Sequence, residues 1–335
     1  MNSKTFVPLT RKRLYYLDFL RIIATLGVIT IHVSTNCGNS GNQYSTIILN
    51  AISRYCVPVF VMISGCFFLD NDRPLPLKKL FSKNIARLFL CYLFWTSIYT
   101  ILFYLYQKQI DWIAGYHLWF LPMMTGLYIL TPILRCVTRN KNMTEYLIIV
   151  LMVIFLLFFN IFNSGWFLNF YFIRYTCEQL NDGFSLCKYP LYFILGYYLN
   201  KFALNKYILS LVYASGILSV CLLPIIEIWL FVHQKSNSLV LNYFSVFVFS
   251  ESIFVFTLTK KIFHKVNFRQ KTLDLISFLS KYTFGIYLVH VAVLSLVKKT
   301  MFYDYIFIAL LIVSIVSLGV SLILNHIPLV NKYLV

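Results

Sequence analysis

Apolar stretches long enough to cross a bilayer recur from near the start of this chain to near its end. No other feature limits its fold so much. A membrane-crossing helix needs about 17–25 predominantly apolar residues. In hydrocarbon, only helices and closed barrels satisfy their own backbone polar groups. The runs are continuous rather than alternating, so the expected fold class is all-α: a polytopic membrane protein with about ten transmembrane helices. The ten spans fall at about 14–34, 46–69, 84–106, 117–134, 145–162, 184–200, 207–232, 239–259, 276–297 and 304–325. No room is left for a soluble domain, so residues 1–335 are read as a single transmembrane domain. Composition agrees: 12% of residues are charged, where a soluble chain carries about 25%.

The formal net charge of +18 would suit a nucleic-acid partner only if the basic residues formed a patch. They are instead scattered between the apolar runs, as the positive-inside rule describes, and no nucleic acid is expected. With the N-terminus inside, 21 of the 29 basic residues fall on cytoplasmic segments, seven fall outside, and Arg21 lies within a span. That asymmetry places both termini in the cytoplasm and the aromatic-rich loop 163–183 outside. The basic N-terminal flank resembles that of a signal sequence but lacks a small-residue cleavage site, so the first apolar run is read as a retained helix. The eight cysteines show no metal-ligand spacing, and Cys177 and Cys187 are the one pair placed to form a disulfide. No HExxH, Walker or Rossmann pattern occurs, so neither a metal nor a permanently bound cofactor is expected.

Ionisable residues inside a bilayer are costly, and each is a functional candidate by default. The first span holds three: Asp18, Arg21 and His32. Arg21 and His32 are eleven residues apart, roughly 16–17 Å along a helix and close to the same angular position. One side chain therefore lies near the cytoplasmic end and the other near the outer end of one face. Asp18, three residues before Arg21, is placed to pair with it. Arginine suits phosphate recognition and histidine suits general-base work near neutral pH. On spacing alone a plainer alternative stays open, with Arg21 snorkelling to the interface and His32 capping the outer end.

The remaining candidates cluster in short motifs. Arg54-Tyr-Cys-Val-Pro58 leads to Ser64-Gly65 in the second span. His117-Leu-Trp119-Phe is followed by Leu127-Tyr128-Ile-Leu-Thr-Pro132. Tyr192-Phe-Ile-Leu-Gly196 and Tyr282-Thr-Phe-Gly285-Ile-Tyr287-Leu-Val-His290 come later. His117 and His290 fall in the outer half of the bilayer with His32. Ser64 is not read as a nucleophile, because no acid is visible to complete a triad. Together with Arg21-x10-His32, these motifs resemble the acyltransferase-3 family of membrane acyltransferases over about residues 14–325. The branch they resemble most is that of enterobacterial-common-antigen and surface-polysaccharide O-acetyltransferases.

The resemblance implies a multi-pass enzyme of the bacterial cell (inner) membrane. It would move an acyl group, most simply acetyl, from cytoplasmic acetyl-CoA to a sugar hydroxyl of a cell-surface or lipid-linked polysaccharide. It makes His32 catalytic and puts Arg21 on the acyl-CoA path, with Asp18, Arg54, Ser64, His117, Trp119, Tyr128, Tyr287 and His290 as candidate site-lining residues. The implied partners are membrane lipids, acyl-CoA and a glycan acceptor. A transporter or flippase of a lipid-linked glycan is the rival reading, since intramembrane charge also suits transport.

Overall fold

The computed structural model describes residues 13–36, 43–107, 115–154, 185–235 and 240–334. The loop 163–183, expected outside, and the expected Cys177–Cys187 pairing lie outside the described residues. Among the described residues every regular element is helical. The main helices are α1 (Tyr15–Asn36), α2 (Gln43–Ala51), α3 (Cys56–Phe68), α4 (Ala86–Gln107), α5 (Phe120–Thr138), α6 (Lys141–Ile154), α7 (Ser185–Lys201), α8 (Lys206–Val232), α9 (Val246–Lys265), α10 (Gln270–Val297), α11 (Ile306–His326) and α12 (Pro328–Tyr333). A π-helical stretch, Leu80–Ile85, leads into α4, and a 3-10 turn, Tyr116–Trp119, leads into α5.

Among the described residues, seven helical segments are long and apolar enough to cross a membrane: Tyr15–Thr35, Gln43–Phe68, Leu77–Leu105, Tyr116–Thr138, Lys206–Val232, Gln270–Val297 and Ile306–His326. The chain is a multi-pass membrane protein. α6, α7 and α9 account for what is described of the other three expected spans. α9 carries Glu251, Lys260 and Lys261 and is too charged to be counted with the seven.

Two expected spans differ in detail from the structure. Residues 46–69 are not one helix, because α2 ends at Ala51 and α3 begins at Cys56. Pro58 supplies the reason. It has no backbone N–H, and its ring would collide with the carbonyl four residues back, which belongs to Arg54. The chain turns there instead and leaves Arg54 on the turn. The eighth span begins at Val246 rather than 239, where Ser245 caps α9 by accepting the Val248 amide at 3.2 Å. A Ser hydroxyl at that position satisfies a donor that the first helical turn leaves open. Tyr243 is thereby left in irregular chain.

α1 is the central helix, packed against α2, α3, α9, α10 and α11. The peripheral helices α4, α5, α8 and α11 expose large apolar side chains such as Ile101, Ile133, Leu211 and Leu311, as lipid-facing surfaces do. The tightest crossing joins α3 to α7, where two glycines meet the opposing backbone reciprocally. A Cβ on Gly65 would strike the Phe193 carbonyl, and one on Gly196 would strike the Met62 carbonyl. Small residues at such crossings let membrane helices approach closely. Here the Cys66 thiol also donates to the Gly196 carbonyl at 3.1 Å.

Candidate active site

Arg21 and His32 both face a single cavity of about 720 Å³. Near Arg21 the wall includes Lys83 and Arg87, brought there by the π-helical stretch and the start of α4. Ser64, Phe68, Met124 and Tyr128 line the middle. His117, Trp119, Tyr243 and Tyr287 surround the His32 end. One helix thus presents a cation at one end of a chamber and an imidazole at the other, as the eleven-residue spacing leads one to expect.

Arg21 is held rather than left to swing. Asp18 Oδ1 accepts from Arg21 Nη1 at 3.4 Å, while Asp18 Oδ2 accepts from Arg13 Nε at 2.6 Å. The guanidinium lies over the Phe67 ring, 5.0 Å from its centroid. A buried carboxylate needs such partners, because an isolated charge in low dielectric is strongly unfavourable. Asp18 does not itself line the cavity, and its role in the structure is to pair with Arg13 and Arg21. In the middle section, the Ser64 hydroxyl donates to the Phe60 carbonyl at 3.1 Å. Tyr128 stacks on Phe68 with centroids 3.9 Å apart.

At the other end three histidines converge. Ring centroids are 5.1 Å apart for His32 and His290, 5.2 Å for His117 and His290, and 6.3 Å for His32 and His117. The Tyr116 hydroxyl reaches His32 Nδ1 at 3.3 Å. His290 is fully buried behind the other two rings and does not line the cavity. Its Nδ1 donates to the Tyr287 carbonyl at 2.6 Å. That bond fixes the tautomer with the lone pair on Nε2, and this buried nitrogen has no hydrogen-bond partner. Neither ring nitrogen of His117 makes a hydrogen bond. The nearby Leu288 carbonyl already accepts from the Tyr99 hydroxyl at 2.8 Å. The Tyr287 hydroxyl donates to the His117 carbonyl at 2.7 Å, tying the 3-10 turn to α10. Buried nitrogens without partners are rare in native proteins, and His117 lines the cavity, so a ligand's polar groups can meet its ring at this end.

Among the described residues, no three His, Cys, Asp or Glu side chains are arranged to hold a metal ion. Arg54 does not line the cavity and sits beside it, against Tyr243. Four residues of the site were not singled out from sequence: Lys83, Arg87, Tyr116 and Tyr243. Lys83 and Arg87 looked like ordinary cytoplasmic charges, and the two tyrosines are among 25 in the chain. A cap signal at Ser245 would have freed Tyr243 from the helix.

A family model for an acyltransferase domain matches residues 14–326. The chain belongs to the acyltransferase-3 family. No curated protein and no solved structure matches it. For a membrane acyltransferase, a chamber with a cation at one end and a histidine at the other fits a two-substrate reaction.

Proposed function

We propose that this acyltransferase moves an acetyl group from cytoplasmic acetyl-CoA to a sugar hydroxyl of a cell-surface or lipid-linked polysaccharide in a bacterial cell membrane. The proposal includes a ten-helix membrane domain with both termini cytoplasmic. The observation that carries the reading is that Arg21 and His32 line the same cavity from one helix. Arg21, with Lys83 and Arg87, holds the phosphates of the donor. The pantetheine arm lies along the middle of the chamber and carries the thioester to His32. His32 takes the proton of the sugar hydroxyl as its oxygen attacks the thioester carbonyl. The C–S bond then breaks, and the thiolate leaves as CoA after recovering the proton from His32.

The experiment is to incubate the purified protein with acetyl-CoA and a glycan, following both CoA release and glycan acetylation by mass spectrometry. Equal amounts of both products are expected. A glycan moved across a membrane with no CoA released would favour translocation instead.

Two further expectations arise here. Arg21→Ala should raise the apparent KM for acyl-CoA several-fold or more, with a smaller effect on the acceptor. Arg21→Lys should rescue it only in part, because lysine lacks the planar fork of five donors. An unchanged donor KM in correctly inserted protein would make Arg21 an interfacial anchor. The charge asymmetry predicts that a cysteine at position 170 is labelled by an impermeant reagent in intact cells. Labelling only after permeabilisation would reverse the assigned orientation.

A further inference from the structure

We infer that Trp119, Tyr243 and Arg54 form the subsite that docks the acceptor, and that it takes a pyranose ring carrying an anionic group, either a carboxylate or a phosphate. This rests on the reaction proposed above, because it says where the sugar must sit for its hydroxyl to reach His32.

The first observation is an aromatic wall at the His32 end of the cavity. Trp119 and Tyr243 both line it, with ring centroids 6.1 Å apart and planes within 28°. Tyr189 supports Trp119 from 6.0 Å. The backbone beneath both rings is held in place. Trp119 lies two residues beyond His117 on the same 3-10 turn, and the Tyr243 carbonyl accepts the Tyr192 hydroxyl at 2.6 Å. A rigid aromatic surface packs well against the apolar C–H face of a sugar while leaving its hydroxyls to polar partners. The polar partners at hand are the histidine rings.

The second observation is a cation fixed beside that wall. Arg54 Cζ lies 6.0 Å from the Tyr243 ring centroid. Its Nε and Nη2 donate to Asn50 Oδ1 at 2.9 and 2.6 Å. Asn50 is buried, and its amide donates to Ser34 Oγ at 2.9 Å and Thr35 Oγ1 at 3.1 Å. Ser34 and Thr35 are the residues of α1 just past His32, so the guanidinium is positioned by the helix that carries the proposed base. Among the described residues no carboxylate lies within ion-pairing distance of Arg54, and Glu227 feels its charge without pairing. An arginine held in place by a neutral amide keeps its charge for a ligand. Its planar fork suits carboxylate and phosphate geometry.

The test compares three acceptors with one ring: a neutral methyl hexoside, the methyl hexuronoside and the hexose 1-phosphate. Acetyl-CoA is the donor and the protein sits in zwitterionic nanodiscs. Wild-type protein should acetylate one or both anionic acceptors with a higher kcat/KM than the neutral one, and added salt should narrow the gap. Which anion is preferred distinguishes a uronate from a phosphate-linked sugar. Arg54→Gln should reduce that preference by at least about tenfold, the scale of a lost hydrogen bond to a charged group, with Arg54→Lys in between. Trp119→Leu should raise the KM of all three acceptors. A wild-type enzyme without charge preference would overturn the subsite, as would an Arg54→Gln enzyme that keeps the preference; Arg54 would then be a lipid head-group anchor. Failure of the wild type to acetylate any sugar would overturn the underlying reaction and the subsite together.

Discussion

His32→Ala is expected to lose at least about two orders of magnitude in acyl transfer, the lower end of what a positioned general base contributes. A sugar hydroxyl is a poor nucleophile at neutral pH, so some group must take its proton as it attacks. His32 is the cavity-lining imidazole on α1, and Tyr116 and His290 lie around its ring. Donor binding should largely survive the substitution, because Arg21 lies about three helical turns away. Activity of the wild type should also fall on acidification, since a protonated imidazole cannot accept another proton. The measurement is glycan acetylation by mass spectrometry, in cells with matched amounts of wild-type and variant protein. Near-normal acetylation by His32→Ala would move the base to His290, whose tautomer is already set, or to His117.

Gly196→Leu is expected to prevent assembly of the membrane domain. At the α3–α7 crossing even a Cβ on Gly196 would occupy the position of the Met62 carbonyl. That neighbour is backbone, which cannot rotate aside as a side chain would. Overpacking typically costs about 1–3 kcal/mol and sometimes more, and here the two helices would have to separate. The crossing also supports the site. α3 carries Phe60 and Ser64 of the cavity wall, and α7 carries Tyr192, which holds Tyr243. Gly196→Leu should therefore show little or no monodisperse protein by size exclusion, and Gly196→Ala a clearly lowered Tm. A leucine variant with a wild-type profile and activity would show that the helices are not in close contact.

The first prediction begins from a residue that stood out in the sequence. Arg21 and His32 were legible because charge is so costly in apolar chain that its presence needs an explanation, and an eleven-residue interval puts both side chains on one face of a helix. His117 and His290 were legible by depth, and the structure brings both beside His32. The second span was read as unbroken, although Pro58 within it carried the signal for the break that sets Arg54 on a turn. Lys83 and Arg87 were missed because a lysine or arginine at a cytoplasmic helix end is ordinary. Only the π-helical stretch before α4 turns that stretch of chain toward the cavity. Tyr243 was missed because an aromatic residue in an aromatic-rich chain carries no information about which way it faces. Hydropathy predicted ten spans, and among the described residues seven segments are long and apolar enough to cross a membrane. A charged helix such as α9 packs in the bundle against α1, α3 and α8.

Because Arg21 and His32 belong to one uninterrupted helix, the interval between them works as a ruler. Many enzymes bring donor and base together by closing a lid, and they tolerate donors of different length by closing to different degrees. A continuous helix has no such adjustment. In the reaction proposed above, phosphates held at Arg21 would leave the arm of the donor to end at His32, and a thioester on a shortened arm would present its carbonyl below the imidazole. In the proposed reaction, donors are then selected by the length of the arm as much as by the chemistry at its tip. Truncated thioesters would occupy the chamber without reacting.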